Sequence, residues 1–440
     1  MKQAPTPDIS PRPSACPGLW RIVAARDGGI CRIKLPGGVL LADQADAVAA
    51  AAERFASGAI EATNRGNLQV RGIKGDHQAL VELLLEAGLG PREAAGDDVR
   101  NLMLSPMAGL DRTMLFDARP LAGQILQMLE GTPRFHQLSA KFAVQLDAGE
   151  ALAMLEHPHD LWLSALVLDE QVWLAFGLAG CPAQGQVLGA VPLDQGLELV
   201  RVVLERFLDL AAPEQSRMRQ LLASCGAKRF IDGLGLEIRR DAAVLHWRRA
   251  QATQAYLGTL AQRGTGYATL GMAPPLGRLT PSMLRGAARV AREQGDGTLR
   301  LTPWQSLILP SIATTSLAQA RQALSALGLL HSPGQPLARL VACAGSSGCA
   351  KAQADTKGDA QALADLLQPG GPGSVHLSGC PRSCAVAHVA PATLLARAPG
   401  RYDLYLRDAR EPGFGALRAR DLTLQQAGAL LDLPTEHLDD

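Results

Sequence analysis

The sequence predicts a mixed α+β fold made of two related halves. Its 440 residues are too many for one hydrophobic core, and a small αβ pattern occurs twice at a constant offset of 239 residues, as from Gly58 to Gly297. Each copy is followed by a larger segment in which strand and helix patterns alternate. We therefore expect two small αβ units joined into one domain, with a larger α/β lobe after each of them.

The first small unit is predicted to begin near Trp20. A strand over Ile30–Lys34 and a turn at Gly37 and Gly38 precede a helix that has Asp43 as its N-cap and ends near Gly58. The apolar face of this helix consists of Val48, Ala52 and Phe55.

The second small unit repeats this plan. Thr280 is the predicted N-cap, Pro281 is the first helical residue, and the glycines at 295 and 297 close the helix. The strands after the two helices correspond position by position: Ile60, Thr63, Leu68 and Val70 match Leu299, Thr302, Leu307 and Leu309.

The larger segments complete the two halves. In the first, the predicted strands are Phe142–Leu146, Leu161–Leu168 and Val172–Phe176, and the predicted helices are Leu197–Leu210 and Arg217–Cys225. In the second, the predicted strands are Leu340–Cys343, Val375–Leu377 and Asp403–Leu406. The expected division is a disordered tail over 1–18, small units over 19–78 and 251–330, and lobes over 79–250 and 331–440, with a charged crossover at 226–250.

Charge and hydropathy argue against several classes of protein. The 43 Lys and Arg nearly balance the 42 Asp and Glu, so no global field favours nucleic acid or an anionic membrane. No run of about 18 apolar residues occurs, and the Pro-rich start lacks the apolar segment of a secretory signal. We therefore expect a cytoplasmic protein whose eight cysteines stay reduced.

Four of the cysteines form two close pairs. Cys343 and Cys349 enclose AGSSG, and Cys380 and Cys384 enclose PRS. The small residues let the backbone wrap closely around thiolate-bound iron and point N–H groups at its sulfides. The five-residue gap is awkward for zinc, so a [4Fe–4S] cluster is the leading prediction, with zinc and a chance grouping as alternatives. The isolated cysteines are expected to be ordinary thiols without a ligand role: Cys16, Cys31, Cys181 and Cys225.

A group of cationic residues lies in the first half: Arg65, Arg71, Arg100, Arg112 and Lys141. Guanidinium groups pair with carboxylates in a bidentate way, so this group predicts a ligand with several carboxylates. The alternative is that each residue is simply solvated. The second half has Pro303 and Trp304 where the first has Asn64 and Arg65, so the two halves differ in charge at this place.

The sequence shows no evident ligand set for a separate iron ion. Two histidines and one carboxylate would form one kind of oxygen-activating iron site. His376 and His388 flank the second cysteine pair, and His157 and His159 are two residues apart, but an ordinary polar role is the alternative for each. On a helix, the second cysteine pair and His388 would share one face.

The motifs TNRGNLQVRG and RNLMLSPMAG, together with the CX5C and CX3C pairs, resemble those of the nitrite and sulfite reductase hemoprotein family. The resemblance implies two ferredoxin-like half-domains and two larger α/β lobes related by pseudo-two-fold symmetry, with a siroheme against a [4Fe–4S] cluster. It also implies that Cys384 bridges to the tetrapyrrole iron, and that Arg65, Arg100 and Lys141 bind the tetrapyrrole carboxylates and the oxyanion. Arg65 and Lys141 are the catalytic candidates.

Two departures point to a different branch of this family. The reductases carry a second lysine where this chain has Ala143, and they continue further after the last cysteine. The opening CPGLWRIVAARDGGICRIKLPGGVLL resembles the precorrin-3B synthase branch. That resemblance implies a monooxygenase of aerobic cobalamin synthesis. Precorrin-3A would be hydroxylated with dioxygen at C20, and its ring A acetate would close into a lactone.

Two other functions stay open at this point, a siroheme-dependent sulfite or nitrite reductase and a non-catalytic iron–sulfur or tetrapyrrole carrier. Whether a mononuclear non-heme iron or a siroheme accompanies the cluster is equally open. No G-x-G-x-x-G motif follows a predicted strand, so we expect the electrons to come from an external reductant, either NADH or ferredoxin.

Overall fold

The contacts within the chain divide it into two units. The computed structural model describes residues 16–91, 93–251, 255–371 and 373–433. The described residues of Met1–Arg21 and Gly90–Gln254 form the first unit, and those of Ile22–Leu89 and Ala255–Asp440 form the second. Most of the predicted disordered tail lies outside the described residues. Within the described ranges, no helix has both the length and the apolar character needed to cross a membrane.

The first small repeat belongs to the second unit. Its elements are β1 Val23–Ala25, β2 Gly28–Ile33, β3 Val39–Leu41, α1 Ala42–Phe55, β4 Ala59–Ala62, β5 Leu68–Ile73 and α2 His77–Glu86. The N-cap of α1 is Leu41 rather than the predicted Asp43. The N–H of Leu41 donates to the side chain of Gln44 (3.0 Å), and Asp43 lies inside the first turn, where its charge favours the helix dipole.

The first lobe forms the body of the first unit. Its elements are β6 Leu102–Met103, α3 Ala118–Gly131, β7 Val144–Asp147, β8 His159–Leu168, β9 Gln171–Gly180, β10 Gly189–Pro192, α4 Gly196–Leu210, α5 Met218–Cys225, α6 Ala227–Asp232 and α7 Ala242–Leu245. The sheet order is β10-β9-β8-β7-β6, with β6, β7 and β8 parallel and β8, β9 and β10 antiparallel to their neighbours. Ile125 of α3 and Phe207 of α4 lie in one apolar core with Leu163 of β8.

The second small repeat confirms the duplication. Its elements are β11 Gly258–Ala261, β12 Tyr267–Met272, β13 Arg278–Leu279, α8 Pro281–Gln294, β14 Thr298–Leu301, β15 Leu307–Ala313 and α9 Leu317–Ala326. The bounds of β12, α8 and β14 are those of β2, α1 and β4 moved by 239 residues. The predicted cap is also confirmed, because the hydroxyl of Thr280 accepts from the N–H of Met283 (3.1 Å) and Pro281 begins the helix.

The second lobe has the same topology as the first. Its elements are β16 Leu340–Ala342, α10 Gly345–Gly348, α11 Thr356–Ala364, β17 Val375–Ser378, β18 Ala392–Ala398, β19 Arg401–Leu406, β20 Ala416–Leu422 and α12 Leu424–Leu431. β16, β17 and β18 are parallel, and β19 and β20 follow antiparallel. The strands therefore correspond in order to β6 through β10, so the repeat extends to the lobes.

The two small repeats exchange strands. β3 pairs with β14, which places Leu40 opposite Leu299, and β13 pairs with β4, which places Leu279 opposite Ile60. The resulting sheet orders are β1-β2-β5-β4-β13 and β11-β12-β15-β14-β3. Each repeat thus completes the sheet of the other, and α1 packs against α8 beside them. Neither repeat forms its five-stranded sheet alone.

Gly38 stands immediately before β3, where the chain enters the sheet of the other repeat. Its φ is +72°, and a Cβ atom at this position would lie 2.0 Å from the carbonyl oxygen of Leu301. We expect Gly38→Ala to lower the free energy of unfolding of the second unit by about 2–4 kcal/mol, because the left-handed backbone and the backbone clash both oppose a side chain. Urea denaturation would measure the loss. Gly400→Ala, at a φ of +66° with nothing within 4 Å, is the matched control, and an equal loss in both variants would contradict the role of the close approach.

Candidate functional site

Both cysteine pairs lie at one edge of the sheet in the second lobe. Cys343 follows β16 directly, and Cys380 comes two residues after β17. Because β16 and β17 are parallel neighbours, the loops after them leave the sheet at the same edge. The short helix α10 then leads from the first cysteine to Cys349. The topology therefore brings the two predicted pairs together.

The sulfur of Cys343 has a backbone N–H and a hydroxyl group as neighbours, as the sulfurs around an iron–sulfur cluster do. The N–H of Gly379 donates to Sγ of Cys343 (3.2 Å), and the hydroxyl of Thr356 lies 3.4 Å from the same sulfur. Burial raises the pKa of the Cys384 thiol, and the charges of Cys380 and of the two cysteines of the first pair add to this rise. The charges of the other three cysteines thus act on the Cys384 thiol.

The loops that carry the cysteines leave no room for larger residues. A Cβ atom on Gly345 would lie 2.7 Å from the backbone nitrogen of Thr356, and one on Gly379 would lie 2.6 Å from Cβ of Ala352. Gly345 also has a φ of +66°. Four thiol donors on closely wrapped backbone, with the N–H of Gly379 directed at the sulfur of Cys343, fit a [4Fe–4S] cluster.

Two equivalent turns contact the backbone at Cys384 and the residue after it. The turn between β4 and β5 contributes Asn64, whose side-chain amide donates to the carbonyl of Cys384 (3.3 Å). The turn between β14 and β15 contributes Gln305, whose amide donates to the carbonyl of Ala385 (2.9 Å). Sequence reasoning did not single out these two amides, although the repeat places their turns at matching positions.

Arg71 contacts the loop of the first cysteine pair. Its guanidinium is buried and donates to both carboxylate oxygens of Asp27 (3.0 Å each) and to the carbonyl of Gly348 (3.1 Å). Gly348 directly precedes Cys349, so Arg71 anchors the first cysteine loop. Nε and Nη2 make these contacts, so Arg71 supports this loop, and its contact with a bound carboxylate stays a prediction.

A buried carboxylate lies beside Arg71. Glu61 of β4 is 2.7 Å from Nη2 of Arg278 and 3.7 Å from Nζ of Lys357. Although burial alone would raise it, the charges of Lys357, Arg71 and Arg278 hold the pKa of Glu61 below its ordinary value. Sequence reasoning missed Glu61 and Lys357, since a single charged residue on a strand or helix gives no sign of its burial.

The other predicted cations are distributed over both units. Arg65 is half-buried in the turn between β4 and β5 of the second unit. The first unit contains Arg100, Arg112 and Lys141. Nε of Arg100 pairs with Glu130 (2.8 Å), while Arg112 and Lys141 are exposed.

The segment of the second cysteine pair and His388 does not form the helix on which these residues would share one face. Residues 380–388 form turns and bends instead, and Ser383 has a φ of +51°. His376 is buried on β17, and this burial lowers its pKa to about 4, with a smaller effect from His388. His157 and His159 are buried in the first unit. Among the described residues, no three His, Cys, Asp or Glu side chains are grouped to hold a single metal ion.

Glu150 gives the first unit a pH-dependent stability. It is fully buried after β7, and burial, followed by the charges of Asp147 and Asp111, raises its pKa to about 8 from an ordinary 4.5. The folded state therefore binds this proton more tightly than the unfolded chain, so stability is full below about pH 4.5 and falls as the pH rises towards about 8.

We expect Glu150→Gln to raise the Tm of the first unit by about 5 °C at pH 8.5 and to change it little at about pH 4.5. Thermal unfolding followed by circular dichroism at the two pH values would measure the difference. Equal effects at both pH values would show that the carboxyl group does not titrate in this range.

Two family models match the chain. The model described as "Nitrite/Sulfite reductase ferredoxin-like half domain" matches residues 24–87 and 260–327, which are the two small repeats. The model described as "Nitrite and sulphite reductase 4Fe-4S domain" matches residues 95–241, in the first lobe. The cysteine pairs lie outside this second match, in the lobe that has the same topology.

The chain is similar along most of its length to known proteins. A ferredoxin–nitrite reductase of Synechococcus elongatus is 30% identical over 392 residues, which are 83% of this chain and 76% of that protein. A precorrin-3B synthase of Sinorhizobium is 26% identical over 425 residues, which are 93% and 88% of the two chains. The solved structure of the Mycobacterium tuberculosis NirA protein has the same fold, with a TM-score of 0.74 over 92% of this chain and 79% of that chain at 22% identity.

These matches confirm the predicted fold, with two ferredoxin-like half-domains and two α/β lobes. The half-domain and 4Fe-4S domain models together cover more than half of the chain, and the 30% identical relative from Synechococcus elongatus matches 83% of it. The chain therefore belongs to the nitrite and sulphite reductase family of oxidoreductases.

Proposed function

We propose that the chain is a precorrin-3B synthase, which hydroxylates precorrin-3A at C20 and closes the ring A acetate into a lactone. One atom of dioxygen enters the product and the other leaves as water, so the reaction consumes two electrons and two protons. NADH or ferredoxin is the proposed external source of the electrons. A [4Fe–4S] cluster, held by Cys343, Cys349, Cys380 and Cys384, supplies one-electron transfer when it is bound.

The extent of the sequence match carries this proposal. The similarity to the Sinorhizobium synthase spans 93% of this chain and 88% of the relative. The ferredoxin–nitrite reductases of Synechococcus elongatus and Zea mays match 83% and 82% of this chain but only 76% and 68% of their own lengths. The match to the synthase therefore includes a larger share of both aligned chains than the matches to the reductases do.

Ala143 supports the same choice, because it stands where the resembled reductases carry a second lysine. It lies immediately before β7 in the first unit, where its side chain is buried and its N–H donates to Asp160 (3.0 Å). Arg217 already pairs with Asp160 (3.0 Å), so this carboxylate needs no second cation. A small anion needs concentrated positive charge, whereas a substrate with many carboxylates spreads the demand over several cations.

The proposed carboxylate-binding residues are Arg65, Arg71, Arg100, Arg112 and Lys141, with Arg65 and Lys141 as catalytic residues. Among these residues, Arg100 has the best-defined surroundings in the structure. Glu130 fixes its position by pairing with Nε (2.8 Å), and its buried Nη1 has no hydrogen-bond partner among the described residues. A ligand carboxylate would satisfy this donor.

Anaerobic incubation of the cluster-bearing protein with precorrin-3A and a reductant, followed by admission of isotopically labelled dioxygen, tests the proposal. The expected product is heavier than the substrate by one labelled oxygen atom, and none is expected when dioxygen or the reductant is withheld. Recovery of unchanged precorrin-3A from a protein with intact cluster absorption would overturn the proposal.

Siroheme-dependent reduction of nitrite or sulfite is the second candidate. The 30% and 31% identities to ferredoxin–nitrite reductases favour it. It predicts siroheme absorption bands in the purified protein and reduction of the anion by reduced methyl viologen. A protein that shows only cluster absorption and reduces neither anion excludes this candidate. If it also fails to convert precorrin-3A, the remaining function is a non-catalytic carrier of the cluster or of a tetrapyrrole.

A further inference from the structure

Lys357 places a largely buried ammonium near the backbone that leads into the first cysteine pair. It is the second residue of α11, next to Thr356, whose hydroxyl contacts Sγ of Cys343. Its Nζ donates to the carbonyl of Leu276 (2.6 Å) and lies 3.5 Å from the carbonyl of Ala342, the residue before Cys343. With only 11% of its side chain exposed, Lys357 directs its charge at the protein interior rather than at solvent.

Within the ion-pair network around Glu61, cations outnumber carboxylates. Lys357, Arg71 and Arg278 surround Glu61, whose side chain is 12% exposed, and Asp27 pairs with Arg71. Three cations thus face two carboxylates. Glu61 belongs to β4 of a small repeat, whereas Lys357 belongs to the second lobe, so the network joins the two within the second unit.

Charges at this depth act strongly on a redox centre. Reduction adds one electron to a cluster, and a nearby positive charge stabilises the reduced form while a negative charge destabilises it. The low dielectric of the interior preserves this interaction, which solvent would otherwise screen.

We propose that Lys357 and Glu61 set the reduction potential of the cluster in opposite directions. Lys357 raises the potential, and Glu61 lowers it by compensating the cations around it. Both are positioning residues, because they act through the cysteine loops and touch no substrate. This inference rests on the assignment of the four cysteines to the cluster in the proposed function, and not on the identity of the substrate.

A redox titration of the purified cluster-bearing protein, followed by electron paramagnetic resonance, tests the inference. At the wild-type midpoint potential, we expect Lys357→Met to lower the ratio of reduced to oxidised cluster about tenfold, which is 59 mV for a one-electron couple. We expect Glu61→Gln to raise this ratio, and Lys357→Arg to keep it near the wild-type value. Arg285→Gln, which breaks an exposed ion pair with Glu53 in the same unit, should leave it unchanged.

Opposite shifts distinguish an electrostatic role from a structural one. Residues that only support the fold would lower iron and sulfide content in both variants without moving the potential in opposite directions, and that result would overturn the inference. If Lys357→Met fails to fold, Glu61→Gln decides alone, since an unchanged or lower potential contradicts the proposal. Wild-type protein without iron and sulfide would overturn the cluster assignment and this inference together, whereas opposite shifts without precorrin-3A turnover would overturn only the proposed reaction.

Discussion

Replacement of Cys380 by serine is expected to reduce the iron and acid-labile sulfide of the purified protein to below about half of the wild-type content. Cys380 lies at the edge of the sheet where the two cysteine pairs meet. A serine hydroxyl is a harder and more weakly acidic ligand than a thiol, so it replaces a thiolate on iron poorly. Elemental analysis, sulfide determination and the visible spectrum would measure the loss.

Cys181→Ser is the matched control for this substitution. Cys181 is buried in the first unit, outside the two pairs, so its replacement should leave iron and sulfide unchanged. An unchanged iron content in Cys380→Ser would contradict a ligand role and favour a chance grouping of thiols. Zinc without sulfide in the wild-type protein would instead support the alternative metal.

Arg71→Met is expected to destabilise the second unit by about 3 kcal/mol, because it removes one partner of a largely buried ion pair. The substitution leaves Asp27 and Glu61 with less compensating charge, and it frees the carbonyl of Gly348 from its anchor. Methionine retains much of the apolar stem, so the effect reports the guanidinium rather than lost volume. Urea denaturation would measure the change in the free energy of unfolding.

Arg285→Gln provides the comparison within the same unit. Arg285 pairs with Glu53 on an exposed surface, where an ion pair contributes at most about 1 kcal/mol. A loss in Arg71→Met no larger than in Arg285→Gln would show that the buried contacts of Arg71 add little to stability.

Much of the fold is predictable from local pattern. The Thr280 cap with Pro281 and the glycine after each small-repeat helix follow from neighbouring residues in the chain. The repeat is visible because the same local pattern recurs at a constant offset. The two cysteine pairs are equally visible, because each lies within a few residues. Local geometry determines such features, so the sequence alone is sufficient to find them.

Local spacing was an incomplete guide at two other places. The N-cap of α1 moved to Leu41 because Gln44 supplies its acceptor. The helical spacing of residues 380–388 did not produce a helix in a segment whose backbone bonds to Asn64 and Gln305 from two distant turns. Spacing alone therefore did not determine either feature.

The amino-acid sequence determined that the chain is duplicated and that four of its eight cysteines form two close pairs. Only the tertiary structure decided that the small repeats exchange strands, that Arg71 anchors a cysteine loop and that Lys357 lies beside Glu61. These features join residues more than two hundred positions apart. Their charges are buried by packing that no local pattern encodes, and burial gives such contacts their energy.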